Sequence, residues 1–190
     1  MPYNKEHKQK SRERILDSAA KLFINRGFDG TSIDDIMAKA DMTRGAFYAH
    51  FGNKSELYEQ ALLFAATNSL FAAPKPEDLS EKDFLHKILQ GYLSMPHLQR
   101  EMPCPMAFLV TDVVNRDPLV RKTYTRIYKG MNKVLTKNAQ AFSNCNQDTI
   151  LAITAMMIGG VAVSRALDDT KTAQRLLSSC RRVARALLDN

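Results

Sequence analysis

Apolar side chains recur three and four residues apart along nearly the whole chain, and no stretch alternates apolar and polar residue by residue. That period belongs to helices seated with one face inward, so an all-α fold of about nine helices is predicted. Ile15, Leu16, Ala19, Leu22 and Phe23 mark the inner face of a first helix over about Lys8 to Asn25, stopped by Gly27. A shorter helix carries Ile33, Ile36, Met37 and Ala40 behind a Ser32 cap, with Asp35 in the return position of a capping box. After a break at Asp41-Met42, Thr43 caps a third helix whose inner members are Phe47 and Phe51. Asn53, with Glu56 three residues on, caps a fourth. It carries Leu57, Tyr58, Ala61, Leu62 and Ala65 and is expected to run unbroken to residue 73, where Pro74 and Pro76 end it. Phe28, between the first two helices, is expected to complete a small three-helix core.

Beyond Pro76 the helical period persists. Ser80 and Asp83 open a helix with Phe84, Leu85, Ile88, Leu89 and Tyr92 inward. Residues 95–105 hold three prolines and read as irregular. A nearly all-apolar helix over 106–114 follows, and then Asp117-Pro118 starts one that reaches about Phe142. Asn146 caps a helix to Leu167 that is apolar on most sides, with a Gly159-Gly160 notch where another helix can come close. The last helix, from Thr170 to near Leu188, has a clean apolar stripe through Ala173, Leu176, Leu177, Cys180, Val183, Ala184, Leu187 and Leu188.

A short helix, a tight turn and a second short helix form a helix-turn-helix, whose second member enters the major groove of DNA. Behind its Thr43 cap that member carries Arg44 in the first turn, where base edges are read; an arginine forks onto guanine O6 and N7. Gly45 and Ala46 have almost no side chain, so backbone can approach the groove floor. Tyr48 and His50 fall off the Phe47/Phe51 face. Thr31 and Ser32 stand where a hydroxyl and free backbone N–H groups can hold a phosphate, and Lys54 is placed for another.

Two stretches resemble the N-terminal domain of the TetR/AcrR family of bacterial transcription regulators. One is A-x-x-L-F-x-x-x-G-F-x-x-T-S-I, from Ala19 to Ile33; the other is A-x-x-T-R-G-x-x-Y-x-H-F-x-x-K-x-x-L, from Ala40 to Leu57. The resemblance runs from about Arg12 to Leu62. Met37 stands where the family usually has Ala, and Asp41 where its turn usually has Gly; Asp tolerates left-handed backbone better than most residues. The resemblance implies a DNA-binding domain over 1–53, a helix over 54–73 that connects it, and a regulatory and dimerisation domain over 74–190. It also implies a repressor, a homodimer on a palindromic double-stranded operator, and release by a small-molecule effector of unknown identity. In such regulators the last two helices pair with their copies as a four-helix bundle, here through Ile153, Met157, Gly160, Val161, Leu176, Cys180, Val183 and Leu187. Two recognition helices would then lie about 34–36 Å apart.

Material for an apolar ligand pocket exists in Tyr92, Met102, Cys104, Met106, Phe108, Tyr124 and Tyr128. Such residues at helical spacing are ordinary core as well. Cys104, between Pro103 and Pro105, offers a thiol in irregular backbone, and a redox- or electrophile-sensing regulator is one alternative. A helical small-molecule-binding protein without DNA binding is another. Lys122, Arg126, Lys129, Lys133 and Lys137 repeat along one helix as a solvated face or a surface for an anionic partner.

Totals add little. The net charge of +7 is not concentrated in the first 60 residues, which hold ten basic and nine acidic side chains. The arm over Lys5, Lys8, Lys10, Arg12 and Arg14 is locally basic and could lie along phosphates. Three widely spaced cysteines form no disulfide framework and fit a reducing cytoplasm. The polar N-terminus is not a signal peptide, and the uncharged run from Thr149 to Ser164 falls short of the roughly 20 apolar residues of a membrane span. With no phosphate loop, G-x-S-x-G or H-E-x-x-H, no enzyme activity, cofactor or metal is expected.

Overall fold

A computed structural model describes residues 5–99 and 104–189. Among them are ten α-helices, one 3-10 turn and no strand. The first four helices are α1 (Lys5–Arg26), α2 (Ile33–Lys39), α3 (Arg44–Tyr48) and α4 (Lys54–Thr67). Then come α5 (Glu81–Tyr92), α6 (Met95–Leu98), α7 (Pro105–Phe108), the 3-10 turn Val113–Asn115, α8 (Pro118–Ala139), α9 (Gln147–Ala166) and α10 (Thr170–Asp189).

Local chemistry sets the ends of the head. Gly27 closes α1 at φ 72°, its N–H bonded to the Phe23 carbonyl at 2.8 Å. Ser32 and Asp35 form the full capping box on α2. The α2–α3 turn survives the replacement of glycine because Asp41 takes φ 52° itself. Arg14 of α1 reaches over and donates to the Ala40 carbonyl at 2.6 Å, so the turn is held from outside as well. Met37, the other departure, is fully buried under α3 and tolerated.

Buried apolar side chains fall in two clusters. The first joins α1 to α4 through Phe23, Ile36, Phe47, Phe51 and Tyr58, and it also takes in Leu109, Val113 and Val120 from later in the chain. The second joins α5 and α7 to α10. Phe108, Tyr124 and Ile127 border both.

Several expectations need correction. Helix α4 stops at Thr67 and not at residue 73, because Thr67 Oγ1 and Asn68 Nδ2 both bond back to the Phe64 carbonyl and compete with the next turn. The irregular stretch after α5 contains one turn of helix, α6, capped by Ser94 with Pro96 early in the turn, which accounts for the tenth helix. The helix expected over 106–114 is broken into α7 and the 3-10 turn, and Val114 is exposed rather than buried. β-Branched residues at 110, 111, 113 and 114 favour that break. Phe28 packs against the first core, stacked on Phe23 and edge-to-face with Tyr58, at the junction of α1 and α4. The final helix is capped by Asp169, which accepts from the N–H groups of Lys171 and Thr172.

Helix α9, at 20 residues, is long and apolar enough to cross a membrane by length and composition, contrary to the count of its uncharged run. Its inner face is packed against α7, α8 and α10.

Candidate nucleic-acid interface

The short helix α3 is pinned by Phe47 and Phe51, both buried. Its other face is open. Arg44 is 59% exposed and its Nη1 pairs with Asp34 of α2 at 2.9 Å. Tyr48, edge-on to Phe47, is also 59% exposed. The Tyr48 hydroxyl beside it, and then the Asp34 carboxylate, hold the Arg44 guanidinium pKa above its usual value. Thr43 makes no side-chain cap bond, so its hydroxyl is not committed to α3. A methyl at Gly45 would meet only the Thr43 hydroxyl, at 3.9 Å. Internal packing therefore does not require a glycine there. Ala46 is half-buried against the first core.

The phosphate candidates are more committed than expected. Thr31 is 1% exposed and its hydroxyl donates to the Gly27 carbonyl at 2.9 Å, so it ties the α1–α2 loop and presents no free group. The Ser32 N–H and hydroxyl both bond to Asp35, at 3.0 and 2.6 Å. Neither residue offers the open donors anticipated from a bare helix start. Lys54 is drawn back over the Phe28 ring, 4.1 Å from its centroid, and burial lowers its pKa. His50 packs beside Phe51 with a buried Nδ1 that has no hydrogen-bond partner. Arg12 of α1, passed over as a single contact, lies 5.4 Å from the Phe51 centroid and bonds to Gln60.

An arginine and an aspartate from later in the chain, Arg116 and Asp112, hold the head. Arg116 forks onto Asp29, Nη2 to Oδ2 at 2.8 Å and Nη1 to Oδ1 at 3.2 Å, while its guanidinium covers the other side of Phe28. That hydrogen-bonded pairing lowers the Asp29 pKa. Asp112 accepts the Tyr58 hydroxyl at 2.5 Å.

An apolar cleft of about 320 Å³ opens between α4 and α8, lined by Leu63, Ala66, Phe71, Met106, Ile127, Met131 and Val134 among others. Of the residues anticipated for a pocket, it brings in Cys104 and Met106. Tyr92 is fully buried and stacked on His97, and Tyr124 spends its hydroxyl on the Met106 carbonyl at 2.7 Å. Phe108 belongs to the core under Arg165, and Tyr128 lines a different groove, between α8 and α9. Met102 lies outside the described residues, as does Pro103. Cys104 is 5% exposed, and burial pushes its thiol pKa up. A thiol held protonated in this way is a poor nucleophile, so the open, reactive cysteine anticipated from its proline flanks is not found. Lys122, Lys129, Lys133 and Lys137 are exposed along α8.

Residues 15–61 match the family model of bacterial regulatory proteins of the tetR family. Those residues carry a tetR-family regulatory domain. Among curated relatives it is 41% identical over 68 residues to the Transposon Tn10 TetC protein of Escherichia coli, covering 32% of this chain and 34% of that one. It is 37% identical over 51 residues to the biofilm operon HTH-type negative transcriptional regulator IcaR of Staphylococcus aureus, covering 27% of each. These matches span about a third or less of the relatives' length. Over nearly the whole chain the fold is that of a TetR transcriptional regulator from Chloroflexus aurantiacus, with TM-score 0.76, 20% identity and 95% of both chains covered. It is equally that of the reduced form of Escherichia coli NemR, with TM-score 0.75, 16% identity, and 92% and 95% covered.

The surface expected to pair two TetR-family subunits divides in this chain. Ile153, Met157, Gly160 and Val161 are buried inside the single chain and are not available to a partner. The notch at Gly160 is already filled, since a methyl there would lie 3.1 Å from Cys180 Sγ and 3.3 Å from Leu93. Because α9 is apolar all round, its sequence does not say which stripe faces inward. The open stripe is Ala152, Ala155, Met156, Gly159 and Val163. A methyl on Gly159 would meet nothing within 4 Å. On α10, Val183 is 44% exposed, Leu176 is half-buried, and Cys180 and Leu187 partly turn into the core.

Proposed function

We propose that this chain is a ligand-responsive transcription regulator, a repressor that binds a palindromic operator as a homodimer and is released by a small molecule. In this reading residues 1–53 are the DNA-binding head, α4 joins it to the rest, and residues 74–190 hold the effector and the second subunit. The observation that carries the reading is the exposed face of α3. There Arg44, Tyr48, the Thr43 hydroxyl and a glycine with no packing reason to be one lie together over a buried Phe47/Phe51 base. That combination suits close approach to a base-pair edge. Arg12, Lys54, His50 and Ser32 flank it as candidate phosphate contacts, the last two once DNA has displaced or joined their present neighbours.

The open apolar stripe of α9, beside Val183 and Leu176 of α10, supports a two-fold contact between copies, which would set two heads on one duplex. The α4–α8 cleft supports effector binding, because its walls include both the helix attached to the head and the start of α7. A ligand there favours one head separation over another, a shift between two populated states. The repressor sign is supported by the likeness to a negative regulator over 51 residues. Such a protein works in the cytoplasm, where its DNA is.

The test is binding of the full-length chain to duplexes it selects from random sequence, with Arg44→Ala alongside. Loss of about 1–3 kcal/mol per bidentate base contact is expected. Equal binding by the variant would remove Arg44 from the groove.

A further inference from the structure

Arg44 is not a free side chain waiting for a base. Its Nη1 donates to both carboxylate oxygens of Asp34, at 2.9 and 3.3 Å, from a helix ten residues earlier. Both groups are well exposed, 59% and 63%, so the pair contributes little to folding. Nor is Asp34 needed to cap α2, because Ser32 and Asp35 already form the capping box. Yet a carboxylate at the mouth of a DNA-reading surface opposes the phosphates that supply most of the binding. What it can give in return is direction. An unrestrained arginine has many rotamers and can settle on any phosphate; a phosphate contact carries no sequence information. Asp34 engages the guanidinium through Nη1 alone, so the Nε–Nη2 edge is not taken up by that carboxylate, and that edge presents two parallel donors to guanine O6 and N7.

We infer that Asp34 is a specificity-determining positioning residue: it holds Arg44 off the DNA backbone and aims its free edge at one base pair, lowering overall affinity while raising discrimination. This rests on Arg44 as the groove reader. Asp34 then acts as negative selection, since non-specific duplex meets an extra negative charge in each head and gains nothing to offset it. Tyr48, beside the guanidinium, restricts it further.

The experiment uses the full-length protein and a duplex it has selected. Dissociation constants are measured for wild type, Asp34→Asn, Asp34→Glu, Arg44→Ala and the Arg44→Ala/Asp34→Asn double variant. The duplexes are the selected one, a scrambled one, and the selected one altered at the base pair whose discrimination Arg44→Ala abolishes. Asp34→Asn is expected to bind scrambled duplex several-fold tighter, with a steeper salt dependence, while discrimination at the Arg44-dependent base pair falls about tenfold. Asp34→Glu, which keeps the carboxylate, should recover part of that discrimination. In the Arg44→Ala background Asp34→Asn should leave discrimination unchanged. The inference is overturned if Asp34→Asn keeps the wild-type ratio. It also fails if the variant weakens all duplexes alike, as a damaged head would, or shifts preference at a different base pair, as a residue reading its own base would. A wild type indifferent to every duplex, or an Arg44→Ala variant with full discrimination, fails earlier: it removes the groove reading itself, and this inference with it.

Discussion

Arg165, in the last turn of α9, donates a hydrogen bond of 3.0 Å to the Ile24 carbonyl at the C-terminal end of α1, while its guanidinium lies 3.9 Å from the Phe108 ring centroid of α7. The final carbonyls of a helix lack partners within it and attract cations. One side chain thus ties the helix that carries the open apolar stripe to the first helix of the head, across the helix that starts at the cleft. Removing it should loosen the head from its seat. Arg165→Ala is expected to lower the unfolding free energy by about 1–2 kcal/mol in urea denaturation followed by circular dichroism. A change too small to measure would mean the bond to α1 is idle.

The second tie is Tyr58 to Asp112, 2.5 Å between hydroxyl and carboxylate, with Arg116 3.6 Å away. Burial, and then the bond to Asp112, raise the Tyr58 pKa, so the phenol stays protonated and donating. Tyr58→Phe leaves the ring packed on Phe23 and Phe28 but deprives a charged acceptor of its donor. A loss of about 1–3 kcal/mol is expected. A double-mutant cycle with Asp112→Asn should show that most of it is the pair.

Neighbouring glycines on α9 separate folding from assembly. Gly160→Ala should lower stability, since its methyl would press on Cys180 and Leu93. On the open face, Val163→Arg should leave the helical circular dichroism and melting point unchanged while turning a dimer into a monomer by sedimentation. A Val163→Arg protein that still sediments as a dimer would move the subunit contact elsewhere.

His50 gives the fold a pH dependence. Burial, then the charges of Lys8 and Arg12, hold its pKa below the ordinary 6.5. As pH falls through about 6.5 the unfolded chain takes up the proton first, so stability declines from there down to the folded pKa and levels off below it. His50→Gln should flatten that part of a melting-temperature profile between about pH 7 and 5. Parallel profiles would show that the imidazole titrates alike in both states.

How far the sequence carried depended on whether a feature was local. Ser32 with Asp35, Gly27, Asn53 and the left-handed turn at Asp41 are decided within a few residues, and each is where its neighbours put it. The ten-residue reach from Arg44 to Asp34 and the long ones from Arg165 to Ile24 and Arg116 to Asp29 follow no local spacing, so no pattern announced them. Helix α9 differs for another reason: with apolar residues on every side it has no phase, so its sequence does not separate the buried stripe from the open one. The helix start at Thr31 resembles an anion site in sequence, but the loop uses its hydroxyl on the Gly27 carbonyl. Cys104 looked exposed between prolines, yet the α4–α8 wall covers it.

The proposed function requires two copies of α3 to read one duplex together. Its most direct measurement is selection of random duplex DNA by the full-length chain, with the stoichiometry of the selected complex determined by sedimentation. The expected result is an inverted repeat with half-site centres about 10 base pairs, or a multiple of that, apart, carrying two chains, or a whole number of pairs. A single unrepeated site holding one chain, or no enriched sequence even at low salt, would contradict it.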